Sequence, residues 1–191
     1  MRDPKDTLHE YLQRSRDAML WKLEGLSERD VRWPHTPTGT NLLGLVKHLA
    51  GVELGYFGDT FGRPGPLALP WMSEDAEENA DMWATAEESV EDVVGMYRQA
   101  WAHADATIAE LDLDSPGRVP WWRGGDVTLH HILVHVIAET ARHAGHADII
   151  REQIDGAAGL RAGATNIPGK GGTWWEEYVA KLQRVAEEAG G

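Results

Sequence analysis

Residues 128–154 read TLHHILVHVIAETARHAGHADIIREQI, and the spacing of their apolar positions decides the fold. At about 100° per residue, Ile132, Val136, Ala147, Thr140, Leu133, Ala144 and Ile137 fall on one arc about 140° wide. An arc of that width is the core-facing stripe of an amphipathic helix, predicted from Thr128 to about Ile154 and stopped by Asp155-Gly156. Before it, the same period appears three times. A first helix is predicted from Asp6 to about Leu26, on Leu8, Tyr11, Leu12, Ala18, Met19 and Leu23, with Gly25 near its end. A second runs from about Asn41 to Phe61, with Leu42, Leu45, Val46, Leu49, Val52 and Tyr56 inward; its Gly44, Gly51 and Gly55 weaken it but permit close approach. A third opens on the capping-box pattern Thr85-Ala86-Glu87-Glu88 and continues to about Leu111.

Between these segments, Ser27 to Asp30 reads as a capped helical turn, and Val31–Thr40 and Asp112–Asp126 read as loops on their prolines and glycines. Gly62–Thr85, with Pro64, Pro66, Pro70 and the acidic run Glu74-Asp75-Ala76-Glu77-Glu78, is a long connection of the kind that carries function or crosses a bundle. Ala157–Gly172 is Gly-rich; Gly169-Lys170-Gly171-Gly172 lacks the spacing of a phosphate loop and reads as a connector. Thr173–Ala189 reads as a short final helix, with Trp174-Trp175 expected to pack it on the rest. No strand alternation appears. The expectation is an all-α fold: one domain over residues 1–191, a four-helix bundle with a long crossover between helices 2 and 3 and a short C-terminal helix.

Composition narrows the function. The chain of 191 residues has 42% hydrophobic and 26% charged residues, which suits one soluble core rather than a disordered chain. Eighteen basic against 31 acidic residues give a formal charge of −13, which argues against nucleic acid and anionic membranes as partners. There is no cysteine, so disulfides, thiolate metal sites and a cysteine nucleophile are excluded. The N-terminal segment Met1 to Asp6 has no apolar signal core, and a cytoplasmic location is the expectation. Two counts stand out: nine Trp beside two Phe, and nine His, of which His130, His131, His135, His143 and His146 are close together.

On the helical wheel His143 falls inside the apolar arc and Glu139 on its edge, with His135 and His146 beside them. Glu139 and His143 are four residues apart and stack on one face. A buried carboxylate without a cation would cost several kcal/mol or stay protonated. In helix 2, His48 lies within about 60° of Leu45 and Val52 and also points inward. A single inward histidine is more often a hydrogen-bonded core residue. Two inward histidines and a glutamate on facing helices fit a metal site, because bundles build such sites from Glu and His spaced by one turn. Three protein ligands leave a position open for chemistry.

Those residues carry a resemblance. LVKHLAGVE at residues 45–53, followed by Tyr56-Phe57, and HVIAETARHAGHAD at 135–148, followed by Arg151-Glu152-Gln153-Ile154-Asp155-Gly156, resemble the DinB/YfiT-like metalloenzyme superfamily, most closely its actinobacterial branch related to mycothiol-dependent enzymes. The resemblance implies a four-helix bundle with a crossover after helix 2. It also implies one divalent metal, zinc first with nickel or iron as alternatives, held by His48, Glu139 and His143. Glu139 stands where many relatives carry a histidine, a variant also found in the family.

For function, the resemblance implies a thiol S-transferase using a low-molecular-weight thiol of the mycothiol type, the metal activating the thiol for attack on a small electrophile. With no cysteine in the chain, that thiol must come from solution. His135 and His146 are candidates for proton transfer or support of the ligands; Arg142, Arg151 and Trp122 are candidates for holding the cosubstrate. Asp148 could orient a ligand imidazole, and Trp33 and Trp121 could border the pocket mouth. The alternatives are a metal-dependent hydrolase, with His135 or Glu53 managing protons, and a metal-bearing binder of small molecules without catalysis. A homodimer is compatible with either.

Overall fold

The helix at residues 128–154 is built as its ends foretell. In the computed structural model, which describes residues 2–73, 75–165 and 167–190, α5 spans Leu129–Asp155. The Thr128 side chain accepts from the His131 N–H at its start, and Gly156, in the left-handed region at φ 77°, closes its end. Met1 of the N-terminal segment, Glu74 of the acidic run and Asn166 of the Gly-rich stretch lie outside the described residues.

The other bundle helices are α1 (Pro4–Trp21), α3 (Leu42–Phe57) and α4 (Val90–Glu110), with the short α2 (Glu28–Arg32) between the first two. α1 packs on α5, and α3 packs on α4 and α5. Three boundaries differ from the sequence reading. α1 ends at Trp21 rather than near Leu26. α3 stops at Phe57, where Gly58 leaves the helical region and Asp59–Phe61 tightens into a 3-10 turn. α4 starts at Val90, because the operative capping box is Ser89 with Asp92. Glu88 of the expected box does accept from the Thr85 N–H, but its carboxylate also reaches Lys47. Asp112–Asp126 is not all loop: Pro116–Arg118 and Asp126–Thr128 form a short antiparallel hairpin, Gly117 opposite Val127. Its strands are three residues each, too short to show an alternation.

α3 is the central element, buried almost all round. Its acidic residue, Glu53, is fully buried and takes a two-pronged ion pair from Arg16 of α1, at 2.7 and 2.6 Å. Arg16 reaches on to Asp105 of α4 at 2.7 Å, so one guanidinium ties three helices. Burial works against its charge, but the bonds and field of Glu53 and Asp105 outweigh that and hold it firmly protonated. Glu53 is therefore a structural partner rather than a manager of protons.

The connection over residues 58–89 lies across α3 and is tied down at its far end. Asn41 donates to the Met82 carbonyl at 3.1 Å, Lys47 to the Trp83 carbonyl at 3.0 Å and to Glu88 at 2.9 Å, and Arg32 to the Ala84 and Thr85 carbonyls. Gly44 makes this approach necessary to glycine, since a Cβ there would collide with the Met82 carbonyl.

α6 (Gly172–Ala189) has 18 residues, none of them buried. The expectation that Trp174-Trp175 fasten it to the bundle is not met: their rings pack on each other and on Tyr178, with Trp174 and Tyr178 stacked at 5.0 Å. No described helix is long and apolar enough to cross a membrane.

Replacing Glu53 by Leu leaves the Arg16 charge buried with Asp105 as its remaining carboxylate and is expected to cost about 3 kcal/mol. The double variant Arg16→Met, Glu53→Leu should recover most of that loss, read as the urea midpoint at unchanged slope.

Candidate metal centre

His48 sits on α3 as the second member of a stripe formed by Gly44, His48, Gly51 and Gly55, each three or four residues from the next. The glycines leave the imidazole as the side chain of that stripe. Opposite it, α5 presents Glu139 and, four residues on, His143. The His143 Nε2 lies 3.1 Å from Glu139 Oε1, and the His48 Nε2 lies 3.8 Å from the same oxygen. The rings of His48 and His143 meet edge to face at 5.0 Å. One donor atom from each of the three residues falls within 4.8 Å of the others.

These separations suit a divalent cation. Ligands at about 2.0–2.1 Å in a tetrahedral set are about 3.3 Å apart, close to the spacing of the two imidazoles from the carboxylate oxygen. Protonation suits it too. Burial opposes ionisation of Glu139, but His143, His48 and Arg142 outweigh it and hold the carboxyl below its ordinary range. Burial and the neighbouring His48 push His143 down against the pull of Glu139, keeping the imidazole neutral. The His143 Nδ1 is buried without a hydrogen-bond partner among the described residues.

His48 is secured. Its Nδ1 lies 2.6 Å from a carboxylate oxygen of Asp81, in the 3-10 turn Ala80–Met82 of the connection. A carboxylate there takes the Nδ1–H and leaves the Nε2 lone pair facing Glu139. Sequence reasoning missed Asp81, since an aspartate in an irregular connection shows no period; the nearest signal was the acidic character of that segment. Asp148, offered for this role, instead pairs with Lys22 at 2.6 Å and accepts from the Gly159 N–H.

A cleft of about 670 Å³ opens beside the triad. His48, Glu139, Asp81 and His135 lie in its wall, together with Gly51, Gly55, Leu67, Leu69, Met72 and Trp121. His135 packs against Tyr56 at 4.6 Å and Trp122 at 4.8 Å, and burial pushes its imidazole down against the pull of Glu139. The tryptophan that faces the cleft is Trp121; Trp122 turns toward Tyr56, His131 and His135. Trp33 is half exposed under Arg29.

The remaining predicted residues lie elsewhere. His146 is exposed, its ring 5.3 Å from that of His143 and outside the cleft lining. Arg142 is exposed. Arg151 is buried and bound to Asp155 and to the Trp21 and Lys22 carbonyls, so its donors anchor the end of α1 rather than line the cleft. With Lys22 and Asp148 it also fastens the Gly-rich stretch, whose Gly159 carbonyl accepts from Trp21 and Lys22.

Comparison with known proteins agrees with this architecture. A family model described as mycothiol-S-transferase matches residues 7–156. No curated protein matches. Among solved structures, a conserved protein from Enterococcus faecalis is similar at a TM-score of 0.61 and 17% identity, over 82% of this chain and 100% of that one. At that identity the likeness concerns the fold.

Asp81→Asn should lower affinity for zinc by about 10- to 100-fold, the usual effect of losing a carboxylate behind a ligand imidazole, while the thermal midpoint moves little. Competition with a chromophoric chelator measures the affinity.

Proposed function

The chain belongs to the mycothiol S-transferase family, a DinB-like family, and on that premise we propose that it joins a low-molecular-weight thiol of the mycothiol type to a small electrophile. The observation that carries this reading is the convergence of His48, Glu139 and the buried His143, the first two of which line a cleft large enough for two small reactants. These three residues would hold one divalent metal, zinc first with nickel or iron as alternatives. Bound there, the metal supplies a Lewis acid that lowers the pKa of a thiol and favours its thiolate at neutral pH.

The chain's own groups do the rest. Asp81 fixes the tautomer and plane of His48. His135, neutral and in the cleft wall one turn before Glu139, is the group we assign to take the thiol proton at an imidazole nitrogen. Leu67, Leu69 and Met72 of the connection and Trp121 of the hairpin loop keep bulk water from the reacting pair. Since no cysteine is present, the thiol is supplied from outside and no enzyme thiol competes with it for the electrophile. His146 and Arg142, on the outer side of α5, act on the site through His143 and the charge of Glu139.

Cobalt-substituted protein offered mycothiol should show a sulfur-to-metal charge-transfer band, and the metal-loaded protein should form adducts with an electrophile panel. His48→Ala, Glu139→Ala and His143→Ala should each lose the band and at least about a hundredfold in turnover. Equal metal content in all four proteins, or metal without a thiol band, would overturn the proposal, and water-dependent turnover without thiol would indicate a hydrolase.

A further inference from the structure

The cleft beside the triad has a one-sided electrostatic character. Its apolar wall comes from Leu54, Leu67, Leu69 and Met72 and from the rings of Tyr56 and Trp121. The charged residues in the lining are Asp59, Asp81 and Glu139; among the described lining residues there is no lysine or arginine. Of the basic side chains near the lining in sequence, Arg123 and Arg142 are exposed and outside it, and two others are engaged away from it. Arg63 pairs with Glu110 at 2.7 Å and reaches Thr107 at 3.1 Å, and Lys47 is held by Glu88 and the Trp83 carbonyl.

The three carboxylates are not equivalent. Glu139 faces His143 and His48, and Asp81 holds His48, so the two charges of a divalent ion in the triad would be matched by these two groups. Asp59 is left over. It follows the end of α3, where the helix dipole is negative, and its carboxylate has no hydrogen bond or ion pair among the described residues. The same lining contains an aromatic corner. Tyr56 and Trp121 meet edge to face at 5.3 Å, and Gly55 lets Trp121 lie directly on α3, since a Cβ there would be 3.0 Å from the indole. Gly55, Tyr56, Asp59 and Trp121 all line the cleft, so the indole and the exposed Asp59 carboxylate border the same space where α3 ends. Aromatic faces beside an unpaired carboxylate are a surface for a cation, and they repel an anion.

We propose that the cleft selects its second reactant by charge: it takes a molecule with an apolar or aromatic body that is neutral or, preferably, cationic where it meets Asp59, and it refuses carboxylate-bearing ones. Asp59 is then a specificity-determining residue, and Trp121 supplies the body contact. Naming this molecule the electrophile rests on the transferase reading above; the charge preference itself does not.

The test uses three probes sharing one ring system: (1-naphthylmethyl)trimethylammonium, 1-naphthalenemethanol and 1-naphthoate. Binding is measured calorimetrically on the full chain, metal-free and zinc-loaded, without thiol. The cation should bind at least about tenfold more tightly than the anion, with the alcohol between them. Asp59→Asn should shrink that ratio severalfold, and Asp59→Lys should reverse it. Trp121→Ala should weaken all three while keeping their order. Equal binding of anion and cation, an unchanged ratio in Asp59→Asn, or failure of every probe to bind would overturn the proposal. If the charge order holds and no thiol adduct forms, the transferase reading fails and the selectivity stands; if adducts form without a charge order, the reverse is true.

Discussion

The face of α3 that carries Gly44, His48, Gly51 and Gly55 governs the rest of this structure, because an apolar helix buried on nearly every side must be covered there as well. With three side chains missing from the stripe, backbone and side chains from outside the bundle can lie directly against it. Met82 does so at Gly44, Met72 at Gly51 and Trp121 at Gly55. What is left between these contacts is the cleft, with His48 in its wall. The glycines reduce helix propensity by about 1 kcal/mol each relative to alanine. Burial of α3 and its cap at Asn41 offset that loss, and the space vacated borders the cleft.

The same covering explains why the connection bears on the triad. Asp81 precedes Met82, whose carbonyl is held by Asn41 and seated on Gly44. The carboxylate that orients His48 is thus placed by backbone packing one residue away. On the α5 side the arrangement differs: Glu139 and His143 are held by the helix itself, and the His143 Nδ1 has no hydrogen-bond partner among the described residues. The two sides of the site therefore depend on different things, α5 on helical periodicity and α3 on a long segment packed across it.

Charge is divided in a related way. The bundle interior neutralises its own carboxylate, Glu53, with Arg16, and the far end of α5 neutralises Asp148 and Asp155 with Lys22 and Arg151. These pairs occupy basic side chains that a helical wheel would place as readily near a ligand. The cleft lining keeps its carboxylates without lysine or arginine among the described residues, a distribution that gives the cleft a negative field.

The helical fold and the histidine–glutamate set were legible in the chain because both depend on spacing within one helix: the stripe of residues 128–154 decides its buried face, and that face carries Glu139 and His143. His48 was legible for the same reason on α3. Boundaries slipped where two caps competed locally, as at Thr85 and Ser89, and the hairpin was hidden by strands too short to show a period. What the sequence could not decide were pairings across long stretches of chain. Asp81 rather than Asp148 meets a histidine of the triad, Arg151 and Glu53 are bound in the frame, and Trp121 rather than Trp122 faces the cleft. The physical reason is that helical period constrains direction around one axis, whereas the partner met in that direction is set by how irregular segments pack, and only the tertiary structure contains that information.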